Sequence, residues 1–467
     1  MLILNGITTH AQENVCDCLS SFNETVNKTE ANYAGFPTKV TSKTGAAYRS
    51  ILNKLRIKAT PEKRKKECFY IINEYVRFFK DKHFSFSYVH ADDPDREFRN
   101  LSEKDLQNIQ RGESKSVEGL WTNADSTLTL AIKKTVNNDY DAVVVSSKDS
   151  KFKKGLIYFT LRPNQNRFLL KQHHVFNSID FYAKKRGNLL QLWNFELYGR
   201  VDATSEKEKL ELSTWRKNNN GLDFNMLDNE TAFIKIPTFF NNDSKIEKLV
   251  AANDKAIRSS KFLIIDLRGN GGGNAGWSFL LPYVMTNPIV QDAPLLRISE
   301  DNVKLKRSEM EYFVKNPVPP ELKMYYTDAY TAMLKKAYED LPNTKTEFYQ
   351  IAGLTIPLNA DLPNPSKVAL IVDDLCGSSA EYFLYLMKQS KKTTSYGVNT
   401  VGMMDYEGPA VTTALPCNDF KLMIPVSKSS WTDKNAIDQT GFTPDVVLKM
   451  SEQEWLPVIR KHLKNQR

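Results

Sequence analysis

The sequence predicts an α/β fold for its second half, behind a helical N-terminal region and a small antiparallel β module. Three observations carry this. Phe262-Leu263-Ile264-Ile265 is a continuous apolar run closed by Asp266, as expected of a strand buried on both faces of a parallel sheet. Val368 to Val372 is a second such run, followed by a helical stretch from Ala380 to Met387. Between Gly119 and Phe195 the texture changes to short alternating or apolar runs separated by Asn137-Asn138-Asp139 and Pro163-Asn164-Gln165-Asn166, the pattern of hairpins.

The elements follow in order. Met1-Leu2-Ile3-Leu4 is apolar, and Thr9-His10-Ala11 offers small residues at signal-peptidase spacing. Residues 1–12 are read as a truncated signal peptide, which gives a secreted or periplasmic protein, with a cytoplasmic one as the alternative. Residues 13–110 form a helical region: Ile51, Leu55, Ile71, Ile72, Tyr75, Val76, Phe78 and Phe79 recur at helical spacing. Residues 111–220 hold the β module, and Lys217 to Gly221 is a linker candidate. The core is placed at 225–450. It begins with a strand at Ala232 to Pro237 and a helix face made by Ile246, Leu249, Val250 and Ile257. A charged helical insertion occupies about 295–355, and 451–467 is a C-terminal tail.

Composition bounds the function. The 467 residues are 41% hydrophobic and 25% charged, an ordinary globular balance, and no window approaches the ~20 apolar residues of a membrane helix. The net charge of +9 comes from 64 basic and 55 acidic residues. Its densest basic stretch, Lys54 to Lys66, is broken by Glu62 and lacks interleaved stacking aromatics, so it is read as a solvated helix face and not a nucleic-acid site. Five cysteines are too few for a disulfide scaffold, and Cys16 and Cys18 are poorly spaced for zinc. No metal and no cofactor is expected, and at most one or two disulfides.

Two turns can carry chemistry, and both fall at the carboxyl ends of buried strands, where α/β folds place their sites. The first, Asp266-Leu267-Arg268-Gly269-Asn270-Gly271-Gly272-Gly273, bares backbone N–H groups that can converge on an anion. Gly271, Gly273 and Gly276 also satisfy a dinucleotide-type G-x-G-x-x-G, but no clear βαβ unit follows and Pro288 interrupts the approach to Asp292. The second, Cys376-Gly377-Ser378-Ser379-Ala380-Glu381, puts a serine at a helix N-terminus. Ser378 reads as a helix cap on its own and as a nucleophile when paired with the glycine-rich turn, with Cys376 as a competitor. A serine nucleophile needs a base. Of six histidines, His10 and His462 lie near the ends, and His173 and His174 at the edge of the β module. His90 stands shortly after His83, where a helix gives way to an alternating segment.

Asp266 to Gly273, Gly377-Ser378-Ser379-Ala380-Glu381, Gly397-Val398-Asn399-Thr400-Val401-Gly402 and Gly441-Phe442-Thr443-Pro444-Asp445, in that order, resemble the motifs of the tail-specific (carboxyl-terminal processing) serine peptidases. The resemblance spans roughly 230 to 448, with a weaker echo around His83, and points to the tricorn-core and interphotoreceptor-retinoid-binding-protein branch. It implies a crotonase-like α/β core and Ser378 as nucleophile. The bacterial processing branch has a base lysine where this chain has Met403, which excludes a Ser–Lys dyad. The tricorn-like branch implies His83, in Asp81-Lys82-His83, as base and Asp438 as the carboxylate that orients it. Lys82 replaces that branch's small hydroxyl residue, and Asp438 stands in for a glutamate. No PDZ-like stretch is found; the β module takes its place. The N–H groups of Gly272 and Ser379 are expected to form the oxyanion hole. The resulting expectation is a serine peptidase acting on proteins or peptides through an acyl-enzyme, its cleft covered by the insertion. The alternative is a weak or inactive ligand-binding protein on the same fold.

Overall fold

The computed structural model describes residues 16–89, 96–110, 116–173, 175–201, 203–218, 221–323, 325–359, 362–408 and 412–465. The apolar N-terminus read as a signal remnant, with His10, lies outside these residues, as do His90 and His174.

The core sheet has six strands in the order Asp223–Asp228, Thr231–Lys235, Phe262–Asp266, Lys367–Val372, Thr393–Gly397, Val446–Val447. The first pair is antiparallel and the rest are parallel. Its central strands are apolar from Phe262 to Ile265 and from Val368 to Val372 because both faces are covered. Leu263 and Ile265 face helices Asp243–Ala252, Asp254–Ser259 and Ser379–Met387, packing with Ile246, Ile257 and Phe383. Phe262 and Ile264 face the opposite way, onto Trp455, Ile459 and Leu463. Those three belong to helix Glu452–Asn465, so the segment read as a tail is a covering layer of the core. Its apolar residues recur at i, i+4 and i+8, a periodicity that marks a docking face.

The β module closes on itself. Eight antiparallel strands, from Gly119–Asn123 to Glu196–Arg200, form a barrel whose first and last strands pair. Closure removes both sheet edges. Trp121, Leu130, Ile132, Phe159 and Leu192 fill its interior. Helix Glu206–Asn218, not foreseen in the sequence, packs Trp215 on Leu189 and Leu197.

Helices Cys18–Asn32, Gly45–Ala59 and Lys65–Phe78 form the N-terminal region around an aromatic cluster that includes Phe22, Tyr75 and Phe79. Disulfides Cys16–Cys417 and Cys18–Cys68 pin it to the core and to itself. The chain leaves the last of these helices through Asp81 and His83 into strand Ser85–Tyr88, which pairs with Phe420–Met423 of the core region. In the insertion, helices Glu300–Lys315 and Asp328–Asp340 pack together. The strands flanking them, Leu295–Arg297 and Phe348–Gln350, share a sheet with Ser427–Lys428 and Tyr406–Glu407.

Candidate active site

Both chemistry-bearing turns sit side by side at the carboxyl ends of adjacent parallel strands. Ser378 has φ 51° and ψ −121°, in a sharp strand-to-helix elbow that costs an L-residue conformational energy and exposes its side chain. Glu381 holds that elbow. Its fully buried carboxylate accepts from Ser378 N–H (3.1 Å), Thr400 Oγ1 (2.6 Å), Gly402 N–H (2.6 Å) and Met403 N–H (2.9 Å). Burial nevertheless raises its pKa.

His83 Nε2 lies 3.0 Å from Ser378 Oγ. Its Nδ1 is 2.8 Å from the Tyr406 carbonyl oxygen. A carbonyl only accepts, so Nδ1 carries the proton and Nε2 presents its lone pair to the serine hydroxyl. The backbone of His83 is fixed by Asp81, whose Oδ1 accepts from the His83 N–H at 2.8 Å and whose Oδ2 accepts from Tyr33 Oη at 2.8 Å.

The structure does not bring Asp438 to the imidazole. Its Oδ2 accepts from Lys39 Nζ at 2.8 Å, and its backbone N–H donates to Asp405. Its Oδ1 is buried with no partner. Burial, then the nearby Asp81, raise its pKa. The Asp438 carboxylate is engaged by Lys39, and the Tyr406 carbonyl is the group that faces the imidazole Nδ1.

The glycine-rich turn differs from expectation in one donor. The Gly272 N–H is engaged by Asn270 Oδ1 at 2.9 Å. The next N–H, of Gly273, has no acceptor among the described residues, and neither has that of Ser379. Both Gly273 and Ser379 line a cavity of ≈ 420 Å³ together with His83 and Ser378. Gly272 stands against the elbow: a Cβ on it would lie 2.6 Å from Ser378 Cβ and 2.9 Å from Ser379 N.

Cys376 is fully buried, its Sγ donates to the Leu267 carbonyl at 2.9 Å, and burial pushes its thiol pKa well up. A neutral, enclosed thiol is no nucleophile. Met403 packs its sulfur toward Gly377. Lys82 points its ammonium at the carbonyls of Val401 (3.2 Å) and Gly402 (2.8 Å), and burial lowers its pKa.

Some positioning residues carried no sequence signal. The barrel lays Trp193 over the glycine turn; a Cβ on Gly271 would meet its Nε1 at 1.4 Å, so glycine is required there by the indole and not by φ. Tyr406 acts through its backbone, which no side-chain pattern reveals. Lys184 of the barrel pairs with Asp374 and Glu452, and lies 3.8 Å from Asp373, tying the barrel to the strand that precedes the elbow.

A hydroxyl at a strained elbow, an imidazole in contact with it and free N–H groups beside it are the parts of a serine-type peptidase, a hydrolase. Residues 230–448, which carry both chemistry-bearing turns, match the model of peptidase family S41. No curated protein matches the chain. Among solved structures it resembles mature CPAF, with 11% identity, TM-score 0.55 and coverage of 96% of this chain and 97% of that one. Mature CPAF complexed with lactacystin is similar at 11% identity and TM-score 0.54, covering 96% and 98%. At that identity the likeness speaks to the fold alone.

Proposed function

We propose that this chain hydrolyses peptide bonds in proteins or peptides through an acyl-enzyme on Ser378, with His83 as general base. The observation that carries the reading is the 3.0 Å contact between His83 Nε2 and Ser378 Oγ, with Nδ1 engaged by a backbone carbonyl. Ser378 Oγ attacks the scissile carbonyl while His83 takes its proton, then returns it to the leaving amine. The N–H groups of Ser379 and Gly273, next to the Gly272 backbone, stabilise the oxyanion, aided by the N-terminus of helix Ser379–Met387. Asp438 acts at a distance through its charge. The parallel sheet with both turns at its carboxyl ends supports a crotonase-like core. Two disulfides support a secreted or periplasmic location, since thiols stay reduced in the cytoplasm. No described helix is long and apolar enough to cross a membrane.

The test is labelling by a serine-directed fluorophosphonate. Wild type should label and hydrolyse an unfolded protein, and Ser378→Ala should do neither while keeping its thermal midpoint. A folded wild type that fails to label would favour a binding protein on the same scaffold.

A further inference from the structure

The catalytic cavity contains one side chain that the hydrolytic mechanism does not use. Glu407 is the one Asp, Glu, Lys or Arg among the described residues lining it. The rest of the wall beyond the reacting groups is largely apolar, with Trp277, Tyr382, Met404 and Met423. Glu407 follows Tyr406 in strand Tyr406–Glu407, so the backbone that orients His83 also fixes this carboxylate. It has no hydrogen bond or ion pair to any described residue. Burial raises its pKa.

Glu407 is half-buried at the cavity wall, and a carboxylate partly withdrawn from water without a partner is costly. The charged groups around it do not neutralise it. Asp292, Glu309, Lys306 and His83 are the groups whose charges it feels. Lys306 is paired with Glu309 at 2.9 Å, and these two line the adjoining cavity that Glu407 also borders. Asp292 is held by Ser430, which donates to it from its backbone N–H at 3.1 Å and from its hydroxyl. With His83 neutral, as a base must be, Asp292, Glu309 and Glu407 face a single Lys306. The missing counter-charge lies on the side open to substrate.

We infer that Glu407 forms a cation subsite in the catalytic cavity, taking the ammonium or guanidinium of a Lys or Arg side chain next to the scissile bond. The inference rests on the peptidase reading of Ser378. The methylenes of such a side chain lie along Trp277, Tyr382, Met404 and Met423, and its charged end meets Glu407. The cavity of ≈ 420 Å³ is in the range of small-ligand pockets.

The test compares fluorogenic peptides that differ at one residue, on either side of the scissile bond: Lys, Arg, norleucine or Glu. Wild type is expected to prefer Lys or Arg over norleucine by about tenfold or more in kcat/KM at one of the two positions. Glu407→Gln should bring that ratio near one, and Glu407→Lys should favour the Glu peptide. No preference for the cation in wild type, or a preference unchanged in Glu407→Gln, overturns the inference. A second arm needs no catalysis. Ser378→Ala protein should bind benzamidine by calorimetry, and Ser378→Ala with Glu407→Gln, at an equal thermal midpoint, should not. Binding in this arm with no fluorophosphonate labelling of wild type would sink the peptidase reading and keep the cation site. Equal binding by both variants, or none in Ser378→Ala, counts against Glu407 alone.

Discussion

Replacing Gly272 by alanine probes the proposed oxyanion turn at the point where it touches the nucleophile. Gly272 has φ +96°, a region that costs an L-residue about 1–2 kcal/mol. The added Cβ would lie 2.6 Å from Ser378 Cβ, 2.7 Å from the Gly377 carbonyl and 2.9 Å from Ser379 N. Carbon–carbon contact is comfortable at about 3.5–4.0 Å, so turn and elbow must separate by about 1 Å. None of those atoms is the end of a flexible side chain, so backbone has to move. The Gly273 N–H belongs to the peptide plane that Gly272 begins, and it moves with it. Losing one oxyanion donor costs about 10²–10³ in kcat, and a 1 Å misplacement costs about 10². Gly272→Ala is therefore expected to lower kcat/KM on a fluorogenic peptide by two to three orders of magnitude, with a parallel fall in the rate of fluorophosphonate labelling. Gly377→Ala is the control. Its Cβ would press chiefly on Met403 Sδ, at 2.6 Å, and a thioether can rotate aside, so the loss should stay under about tenfold. Turnover within about threefold of wild type in a folded Gly272→Ala protein would refute the placement of the oxyanion donors.

The remaining predictions concern the base, the buried carboxylates and the covalent ties. His83→Ala should cost several orders of magnitude in kcat, whereas Asp438→Asn should cost far less than the ~10⁴ seen when a triad aspartate in contact is neutralised, because Asp438 touches Lys39 and not the imidazole; equal losses in steady-state assays would contradict the geometry. Cys376→Ser should keep activity, since the thiol is enclosed and neutral; loss of fluorophosphonate labelling in a folded variant would contradict this. Burial raises the Glu196 carboxyl in the barrel to about 7, so the folded state keeps that proton to a higher pH than the unfolded chain; stability is full at low pH and is lost as pH rises from about 4.5 through 7, by at most about 3 kcal/mol before screening. Glu196→Gln should flatten this limb in melting curves, and an unchanged slope would count against it. Removing the Cys18–Cys68 link, which closes a 50-residue separation and ends within the helix leading to His83, should cost up to about 4 kcal/mol in chemical denaturation of the Cys18→Ala, Cys68→Ala variant; a change under about 1 kcal/mol would refute its role as a tie.

The sequence exposed what repeats locally and hid what is made by contact. The runs Phe262 to Ile265 and Val368 to Val372 are apolar throughout because helices cover both faces, so the parallel sheet was legible. The turns at Gly269 to Gly273 and Gly377 to Glu381 were legible as motifs because glycines and a serine at a helix start are unusual together. Closure of the barrel was not, because pairing of Glu196–Arg200 with Gly119–Asn123 is a long-range event that alternation cannot encode. The helix Glu206–Asn218 was missed because it offers few apolar residues beyond Leu212 and Trp215 to a small surface. The disulfide partners of Cys16 and Cys18 lie 401 and 50 residues away, beyond any spacing argument.

The orienting group shows why motif transfer stops short of mechanism. A carboxylate against Nδ1 would place a full charge beside the imidazolium; the Tyr406 carbonyl at 2.8 Å supplies a dipole and fixes the same tautomer. The charge has not left the region. Asp81 and Asp438 lie close enough to raise the pKa of Asp438, and Lys39 and Lys82 oppose them. Lys39 takes Asp438 in a salt bridge, while Lys82 spends its donors on the carbonyls of Val401 and Gly402. In the proposed mechanism, the imidazolium formed during attack would be stabilised by a contacting dipole and by carboxylates one layer behind it, partly neutralised by lysines. In that arrangement Asp438 need not reach Nδ1, because the Tyr406 carbonyl already occupies it. The arrangement does not tolerate displacement of the Tyr406–Glu407 strand, which carries both the carbonyl that orients the base and the carboxylate proposed to choose the substrate.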